Sequence, residues 1–492
     1  MIGTIINENG ELKPLQVTLA FIIIYVLLLT VMVIIKPNLF IYFALLIPFL
    51  PVLLFILINK LDYAVLIYIV ILPIIQHYSN LSVQAGDFWV SPDMIIHLVI
   101  LIASLNYFLY SYDPHTKRGL SFQDKILLVF VLLTFFSLIA ASYFPINHAK
   151  RILLYYTGIF QPISFYFIIL YFLSRVPDFL NKLILAVLLT ASSAAIVAFI
   201  ELRDIGLSLI NLFISRNQFG FGYRNTNLFG MHAALLFPLY FYALKSGDFK
   251  KQKYLILLNF ILLSVLSVLT LNRGTFVVLA VYLFLLFWKK ENRKIVIGFI
   301  IAGVVGAIYY IELLTLYISR FFGGGGEQSK FLMEPSALYR LEVWRVAIEA
   351  IVNYPLGMGG VGYGYAWKKF SIDPTRTFQT PHQLLLYVAI DYGVPALLAF
   401  VFLFIIVFKK ISLLTKSDII VNSKLFNYIK LGLIGYLIHG FLTGGEFSHL
   451  SGNIMPNNGY SYILMILLAM VSFEYSNYQE LKNKIEEAEV KY

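Results

Sequence analysis

The chain has 492 residues, of which 60% are hydrophobic and 13% are charged, and its formal net charge is +11. Soluble domains average about 25% charged residues, so this composition excludes a soluble protein and predicts an all-α polytopic membrane protein. The absence of cysteine excludes disulfides, thiolate metal sites and a catalytic thiol. Basic cytoplasmic loops that orient membrane helices explain the positive charge, and nucleic acid is not expected as a partner.

Apolar runs long enough to cross a bilayer predict about 12–14 transmembrane helices. The first run follows no basic segment and precedes no small-residue cleavage site, so it is interpreted as a retained span rather than a signal peptide. One later run, 382–408, is broken by Gly393 and Pro395. The candidate spans are 16–35, 39–58, 62–77, 93–112, 124–143, 152–174, 180–201, 227–245, 254–271, 274–288, 295–317, 382–408, 426–443 and 458–475.

Alternation of these spans places the short lysine-rich loops on one face, which the positive-inside rule makes cytoplasmic. Both termini lie on that face, and residues 476–492 form a charged cytoplasmic tail or helix. The opposite, outer face receives the long loops. We expect one transmembrane domain over 1–492, with a first outer functional loop at 202–226 and a long outer loop at 318–381.

Most arginines lie in the outer loops or at their boundaries, whereas most lysines lie in cytoplasmic loops. A planar guanidinium grips a phosphate or carboxylate through two parallel hydrogen bonds, which lysine does not do. The outer face is therefore predicted to hold an anion. The alternative is that these arginines pair with outer acids or lipid headgroups. The outer arginines are Arg151, Arg203, Arg216, Arg224, Arg273, Arg320, Arg340, Arg345 and Arg376.

The first outer loop is a candidate phosphate cradle. Arg216 and Arg224 bracket a turn rich in glycine and aromatic residues, and the sequence 225–227 (Asn-Thr-Asn) then leads into a span. Free N–H groups at the start of that helix would add to the two guanidinium charges. An ordinary capped helix start with interfacial anchors is the alternative interpretation.

Arg273 lies between two apolar runs with almost no loop. A charge at that depth is costly unless it faces protein, an interface or a cavity. Arg273 is therefore interpreted as a residue that lines the site, and the alternative is an arginine that extends to the interface from a tight helical hairpin.

The long outer loop carries one amphipathic helical pattern, over 336–351. Apolar residues recur at spacings of three and four along one stripe, and Arg340 and Arg345 flank that stripe on opposite sides. This is the layout of a helix at the membrane interface with guanidinium groups at headgroup depth. Alternatively, the helix packs on the protein and its arginines pair with local acids. The stripe consists of Ala337, Leu341, Trp344, Ile348 and Ile351.

Two further features of this loop point to a site. The glycines of 353–367 permit tight turns and close approach of another backbone or a ligand. His382 follows Pro381 at the start of an apolar helix, where a neutral imidazole would serve as a general base, or as a structural residue. No metal-binding motif is visible, and no cofactor is expected.

The run "YRLEVWRVAIEAIVNYPLGMGGVGYGYAW", followed by His382 and "DYGVPALL", resembles the O-antigen ligase and O-antigen polymerase superfamily. "NRGTF" at 272–276 is similar to a Ser-Arg-Gly segment of that family, and "YRNTNLFGMHAALLFPL" to its Asn-containing helix start. The resemblance covers roughly residues 210–410. It implies a membrane glycosyltransferase on the outer face of the bacterial inner membrane.

By that resemblance, the protein takes a glycan from undecaprenyl pyrophosphate and passes it to an acceptor hydroxyl without a metal or a nucleotide sugar. Arg216 or Arg224 then contacts the pyrophosphate from the first loop, Arg340 and Arg345 from the second, and Arg273 assists. His382 corresponds to the base that activates the acceptor. The chain departs from the family pattern at Gln383, where Asn is usual, and at Asn272, where Ser is usual.

Two acceptors are compatible with the sequence. A second lipid-linked glycan makes the protein a polymerase, which is the favoured interpretation, and lipid A core makes it a ligase. Membrane lipids are expected partners, and a chain-length regulator is a further candidate. A flippase or other transporter is the alternative of another class, but it predicts more intramembrane charges than Glu312 and Lys430, as well as internal repeats.

Overall fold

The computed structural model of the chain describes residues 60–77, 83–85, 88–110, 119–144, 151–152, 155–205, 220–223, 226–270, 272–287, 293, 297–298, 301, 340–360, 362–374, 381, 383–420, 422–443 and 459–490. These residues are almost entirely helical. The helices are α1 Leu61–His77, α2 Pro92–Tyr110, α3 Phe122–Ala140, α4 Gln161–Arg175, α5 Phe179–Ile205, α6 Thr226–Lys245, α7 Lys253–Leu269, α8 Arg273–Phe287, α9 Arg340–Asn353, α10 Gly362–Phe370, α11 Leu384–Leu414, α12 Ser423–Thr443 and α13 Gly459–Val490.

The prediction of an all-α polytopic membrane protein is confirmed. The described residues contain seven helices that are long and apolar enough to cross a membrane, together with three shorter apolar helices. Candidate spans 16–35 and 39–58 lie outside the described residues, as does nearly all of 295–317. The total number of spans, the sidedness of the helices and the loop divisions stay predictions. We use "outer" for the helix ends that the positive-inside rule assigns to the non-cytoplasmic side.

The bundle is organised around α6 and α13. Side chains on every face of α6 are buried, and residues 461–472 of α13 are buried without interruption. A helix that is apolar all round belongs in the centre of a bundle. The core continues from these two helices into α4, α5, α11 and α12. The exposed sides of the helices at the periphery of the bundle are apolar, as a lipid environment requires.

Two small elements were not predicted from the sequence. Strands Val83–Ala85 and Phe88–Val90 form an antiparallel hairpin between α1 and α2, with Val83 opposite Val90. A π-helical turn at Tyr156–Phe160 leads into α4. Its sequence carries no signal that distinguishes it from the α-helix that follows.

A buried polar cluster ties the inner ends of α3 and α11 together. Ser121 caps α3, with its side chain accepting from Asp124 N and its own N–H donating to Asp124. The Lys410 ammonium donates to Ser121 Oγ at 3.2 Å and to Gln123 Oε1 at 3.3 Å. Lys410 therefore links the start of α3 to the last turns of α11.

The helix α11 is broken in its outer half, as the sequence predicts. Gly393 has φ 88° and ψ 164°, values outside the helical region, and Pro395 follows two residues later. The predicted helix of the long outer loop is present as α9. The short helix α10 within the glycine-rich stretch was not predicted.

Candidate functional site

The outer ends of α6, α8, α11 and α12 meet in one place. Asn272 links two of them, because its Oδ1 accepts from Thr275 N at 3.1 Å and its Nδ2 donates to Asn227 Oδ1. The first bond satisfies a free N–H at the start of α8, and the second fixes that start against the first turn of α6. Asn272 therefore sets the relative position of two helix N-termini.

His439 joins α12 to the same region. Its Nδ1 lies 2.9 Å from Thr443 Oγ1 and its Nε2 lies 3.3 Å from Thr275 Oγ1. The ring is completely buried. Glycines make the room for it, since a Cβ on either Gly230 of α6 or Gly274 of α8 would overlap side-chain atoms of this group. We call Asn227, Asn272, Thr275, His439 and Thr443 the outer junction.

The start of α11 lies beside the outer junction. The side chain of Gln383 caps this helix by accepting from Leu386 N at 2.5 Å. Leu384 packs against Gly440 so closely that a Cβ there would lie 3.1 Å from Leu384 Cβ and 3.4 Å from Met231 Cε. Three helix N-termini thus lie at or beside the outer junction, and each contributes the positive end of a helix dipole.

The last part of the first outer loop is anchored by Glu201 at the outer end of α5. Glu201 Oε2 accepts from Gly220 N at 3.2 Å and from Phe221 N at 3.0 Å, and Oε1 lies 3.3 Å from His77 Nδ1. Gly222 has φ +83° and packs on the backbone of Pro73, which leaves no room for a side chain. The segment directly before Arg224 is therefore held in one position.

Arg345 pairs with acids of its own helix. Its Nε donates to Glu342 Oε2 at 2.7 Å and its Nη2 donates to Glu342 Oε1 at 2.7 Å. Its Nη1 donates to Glu349 Oε1 at 2.5 Å. It also donates to the Phe370 carbonyl at 2.7 Å. This bidentate contact lowers the pKa of Glu342 to about 2 and raises the pKa of Arg345. For Arg345, the arrangement agrees with the alternative in which the arginines of this helix pair with local acids.

The pair α9–α10 is docked on the broken part of α11. Because Gly393 departs from helical geometry and Pro395 has no N–H, the carbonyls one turn earlier lack their usual helical partners. The loop between α9 and α10 supplies the missing hydrogen-bond donors, and it also accepts one hydrogen bond from α11. The bonds run from Met358 N to Ile390 O (2.7 Å), from Gly359 N to Asp391 O (2.8 Å) and from Val394 N to Pro355 O (2.8 Å).

A small apolar core completes this docking. Val343, Val346, Ala347 and Ala350 of α9 are buried against α10, and Trp367 of α10 is fully enclosed. The prediction that the glycine-rich stretch permits close approach of another backbone is confirmed. The loop therefore contacts α11 at a point only a few residues along the chain from the capped start of that helix.

An apolar groove of about 330 Å³ runs along α11 and α12. Its outer end includes Leu384, next to the outer junction, and Phe408 lies toward its inner end. The lining carries almost no polar surface, so the groove suits a hydrocarbon chain. The lining residues are Leu384, Leu385, Phe400, Val401, Phe404, Ile405, Phe408, Leu437 and Phe441.

Most of the predicted site residues cannot be compared with these contacts. His382, Arg216 and Arg224 lie outside the described residues. Arg273 and Arg340 are the first residues of α8 and α9, and the predictions for their side chains also fall outside what the structure describes. The catalytic and pyrophosphate-binding roles of all these residues, and that of Arg345, stay predictions.

Sequence reasoning missed most of the polar residues that hold the site together. No motif in the sequence singles out His439 or Glu201. The available signal was the combination of polar residues near predicted helix ends with glycines at 230 and 274, where a neighbouring side chain needs room. Within the described residues, no group of three or more His, Asp or Glu side chains is arranged to hold a metal ion.

Residues 258–401 match the family model described as O-antigen ligase. This segment supports the resemblance to the O-antigen ligase and polymerase superfamily. It includes most of α7, all of α8, α9 and α10, and α11 through its break. No curated protein matches the chain. The family consists of membrane glycosyltransferases of the ligase or polymerase type, with lipid-linked glycans as substrates. Two residues of the outer junction, Asn272 and Thr275, lie in the matched segment.

Proposed function

We propose that the protein transfers or polymerises undecaprenyl-pyrophosphate-linked oligosaccharide on the outer face of the inner membrane, with its active site at the outer junction. The observation that carries the proposal is the convergence of the starts of α6, α8 and α11. Each of these helix starts has a proposed site residue within two positions in the sequence, namely Arg224, Arg273 and His382.

Electrostatics favours a diphosphate at this position. Helix N-termini attract anions through free N–H groups and the helix dipole, and guanidinium groups add bidentate hydrogen bonds to phosphate oxygens. Negative charge grows on the pyrophosphate as the glycosidic bond breaks. Cationic groups placed there in advance would therefore stabilise the transition state more than the ground state.

The proposed chemistry needs one general base. His382 accepts the proton of the acceptor hydroxyl while the hydroxyl oxygen attacks the anomeric carbon of the donor sugar. The bond between that carbon and the phosphate oxygen breaks, and its electron pair leaves with undecaprenyl pyrophosphate. The arginines hold the leaving diphosphate, and the step uses neither a metal nor a nucleotide sugar.

The apolar groove supports a lipid-linked donor. Its outer end at Leu384 adjoins the outer junction, and the groove then follows α11 toward the opposite side of the bundle. A polyprenyl tail placed there would leave its diphosphate at the helix starts. The lipid would thus remain in the bilayer while its headgroup reacts at the surface.

A second lipid-linked glycan is the favoured acceptor, which makes the protein a polymerase with a chain-length regulator as a candidate partner. The description of the matched family, O-antigen ligase, supports lipid A core as the alternative acceptor. The two cases differ in product, because a polymerase lengthens the lipid-linked glycan and a ligase moves it to lipid A core.

The test is reconstitution of the purified protein in liposomes with a lipid-linked repeat unit, offered alone or with lipid A core. Products are separated by electrophoresis and identified by mass spectrometry. We expect His382→Ala and Arg273→Ala to abolish product, while Arg175→Ala, at the predicted cytoplasmic end of α4, retains it. Full product from both site variants would refute the site assignment. Movement of glycan across the vesicle without any transfer would instead identify a transporter.

A further inference from the structure

The helix α9 has two apolar faces, and only one of them is covered. Val343, Val346, Ala347 and Ala350 pack into the core shared with α10 and α11. On the opposite side, Leu341, Ile348 and Val352 are 79%, 55% and 74% exposed. Their spacings of seven and four place them on one stripe of the helix. We call these three residues the exposed stripe.

The exposed stripe departs from what a loop helix in water would carry. Helices at a water-facing surface present charged or polar side chains on the side away from the core. Here the polar residues Glu342, Arg345 and Glu349 lie on the flank between the two apolar faces and are engaged with one another. The stripe itself carries no charge.

The depth at which α9 is docked identifies its surroundings. The contact between Lys410 and Ser121 marks the inner ends of α11 and α3. From this level, Gly393 and Ser137 lie about 25 Å along their helices at a rise of roughly 1.5 Å per residue, and both contact Gly357. The hydrocarbon core of a bilayer is about 30 Å thick. The loop that follows α9 is therefore docked near the outer boundary of the hydrocarbon.

The surface of the bundle at this level is already apolar. Phe136 and Ile139 of α3, on either side of Ser137, are 62% and 53% exposed, and Leu398 of α11, one turn beyond Val394, is 63% exposed. Leu356, next to Gly357, is itself 59% exposed. The loop at the end of α9 thus continues the lipid-facing surface of α3 and α11, and the exposed stripe lies on the helix that this loop anchors.

We propose that the exposed stripe is inserted into the outer leaflet of the bilayer, so that α9 lies in the membrane interface rather than in the aqueous space. Arg345, which is 38% exposed on the flank of the stripe, lies where phosphate headgroups would meet it. The lipid contact and the docking on α11 hold the long outer loop at headgroup depth. This inference does not depend on the proposed reaction.

The absence of cysteine makes a direct test simple. Single-cysteine variants L341C, I348C and V352C are labelled with an environment-sensitive nitrobenzoxadiazole dye and reconstituted in nanodiscs that contain phosphatidylcholine with a nitroxide near the headgroup end of its acyl chain. F136C is the control for a lipid-facing position. K368C, an exposed polar position on α10, is the control for water. All five side chains are exposed, so cysteine replaces each of them without loss of core packing.

We expect the three stripe variants to show blue-shifted emission and a loss of fluorescence to the lipid nitroxide comparable with that of F136C. K368C should show neither. Emission and quenching equal to those of K368C at all three stripe positions would overturn the proposal. So would rapid disulfide cross-linking of the unlabelled I348C protein between two copies in the same nanodisc, because the stripe would then be covered by a second chain. Size-exclusion profiles matching the parent chain verify that the variants are folded.

Discussion

Gly357 and Gly393 face each other across the break in α11, with no space for a side chain on either. A Cβ on Gly357 would lie 2.6 Å from Gly393 N, and a Cβ on Gly393 would lie 2.6 Å from Leu356 O. Both residues also have positive φ, at 91° and 88°. The backbones of the outer loop and the transmembrane helix therefore meet directly, and this contact sets the position of α9 and α10.

Alanine at either glycine should separate the outer loop from α11. Gly357→Ala and Gly393→Ala each combine a steric overlap with a strained φ, at an expected cost of about 1–3 kcal/mol. Hydrogen exchange of the α9 and α10 amides should accelerate in both variants while the exchange of α6 is unchanged. Gly364→Ala is the matched control, because a Cβ there meets nothing within 4 Å. Equal exchange in all three variants would mean that this contact does not hold the loop.

Asn272 offers a way to separate capping from alignment of the helices. Asn272→Ala removes both the cap of α8 and the bond to Asn227, and lost caps cost about 1 kcal/mol. Asn272→Ser restores a capping oxygen but is too short to provide the amide donor that reaches Asn227. We therefore expect the serine variant to recover thermal stability in detergent but to keep a reduced kcat for glycan transfer. Full recovery of kcat in the serine variant would show that the bond to Asn227 is dispensable.

His439 should behave as a structural residue and His382 as a catalytic one. Removal of the fully buried His439 ring leaves a cavity and takes from the Thr275 hydroxyl its contact with the imidazole, whereas the Thr443 hydroxyl keeps its bond to the backbone carbonyl of residue 439. His439→Ala should therefore destabilise the protein by about 3 kcal/mol. Whatever activity remains should keep the pH profile of the parent chain. His382→Ala should instead lose activity with little change in thermal unfolding. A pH profile altered by His439→Ala would place that imidazole in the reaction.

The fold could be predicted from sequence because lipid demands long apolar helices. The described helices from α1 to α8 and from α11 to α13 begin within a few residues of the predicted spans, except α4, which begins at Gln161 after the π-helical turn and not at the predicted residue 152. The break in α11 was visible as Gly393 and Pro395. The role of that break was not, because its free carbonyls are satisfied by Met358 and Gly359, more than thirty residues earlier in the chain. Local sequence does not record such pairings.

The candidate site was predicted less completely than the fold. Charge chemistry pointed to the arginines, and the local pattern of α9 left two alternatives for Arg345. The structure pairs Arg345 with Glu342 and Glu349, which spacings of three and four permit but do not require. The polar residues of the outer junction come from α6, α8 and α12, and only packing of those helices reveals that Asn272 and His439 belong to one group.

The pairing of Arg345 with Glu342 makes the docking of α9 sensitive to acid. The pKa of Glu342 in the folded protein is about 2, below its ordinary value of 4.5, because Arg345 donates hydrogen bonds to the ionised carboxylate. A lowered pKa means that the stabilisation is complete above about pH 4.5 and is lost as the pH falls toward 2. Between these values, hydrogen exchange of α9 should accelerate in the parent chain. Glu342→Gln should show faster exchange already at pH 7 and little further change on acidification.

The same substitution tests whether Arg345 binds the donor. If the guanidinium must leave Glu342 to grip the pyrophosphate, Glu342→Gln makes it available and should lower the KM for the lipid-linked donor, whereas Arg345→Ala should raise it. Glu349→Gln is the matched comparison, since Glu349 contacts Arg345 through one oxygen rather than two, and its effect on KM should be smaller. An unchanged donor KM in Arg345→Ala, with accelerated exchange of α9, would assign this arginine to holding the helix and leave the pyrophosphate to the arginines at the starts of α6, α8 and α9.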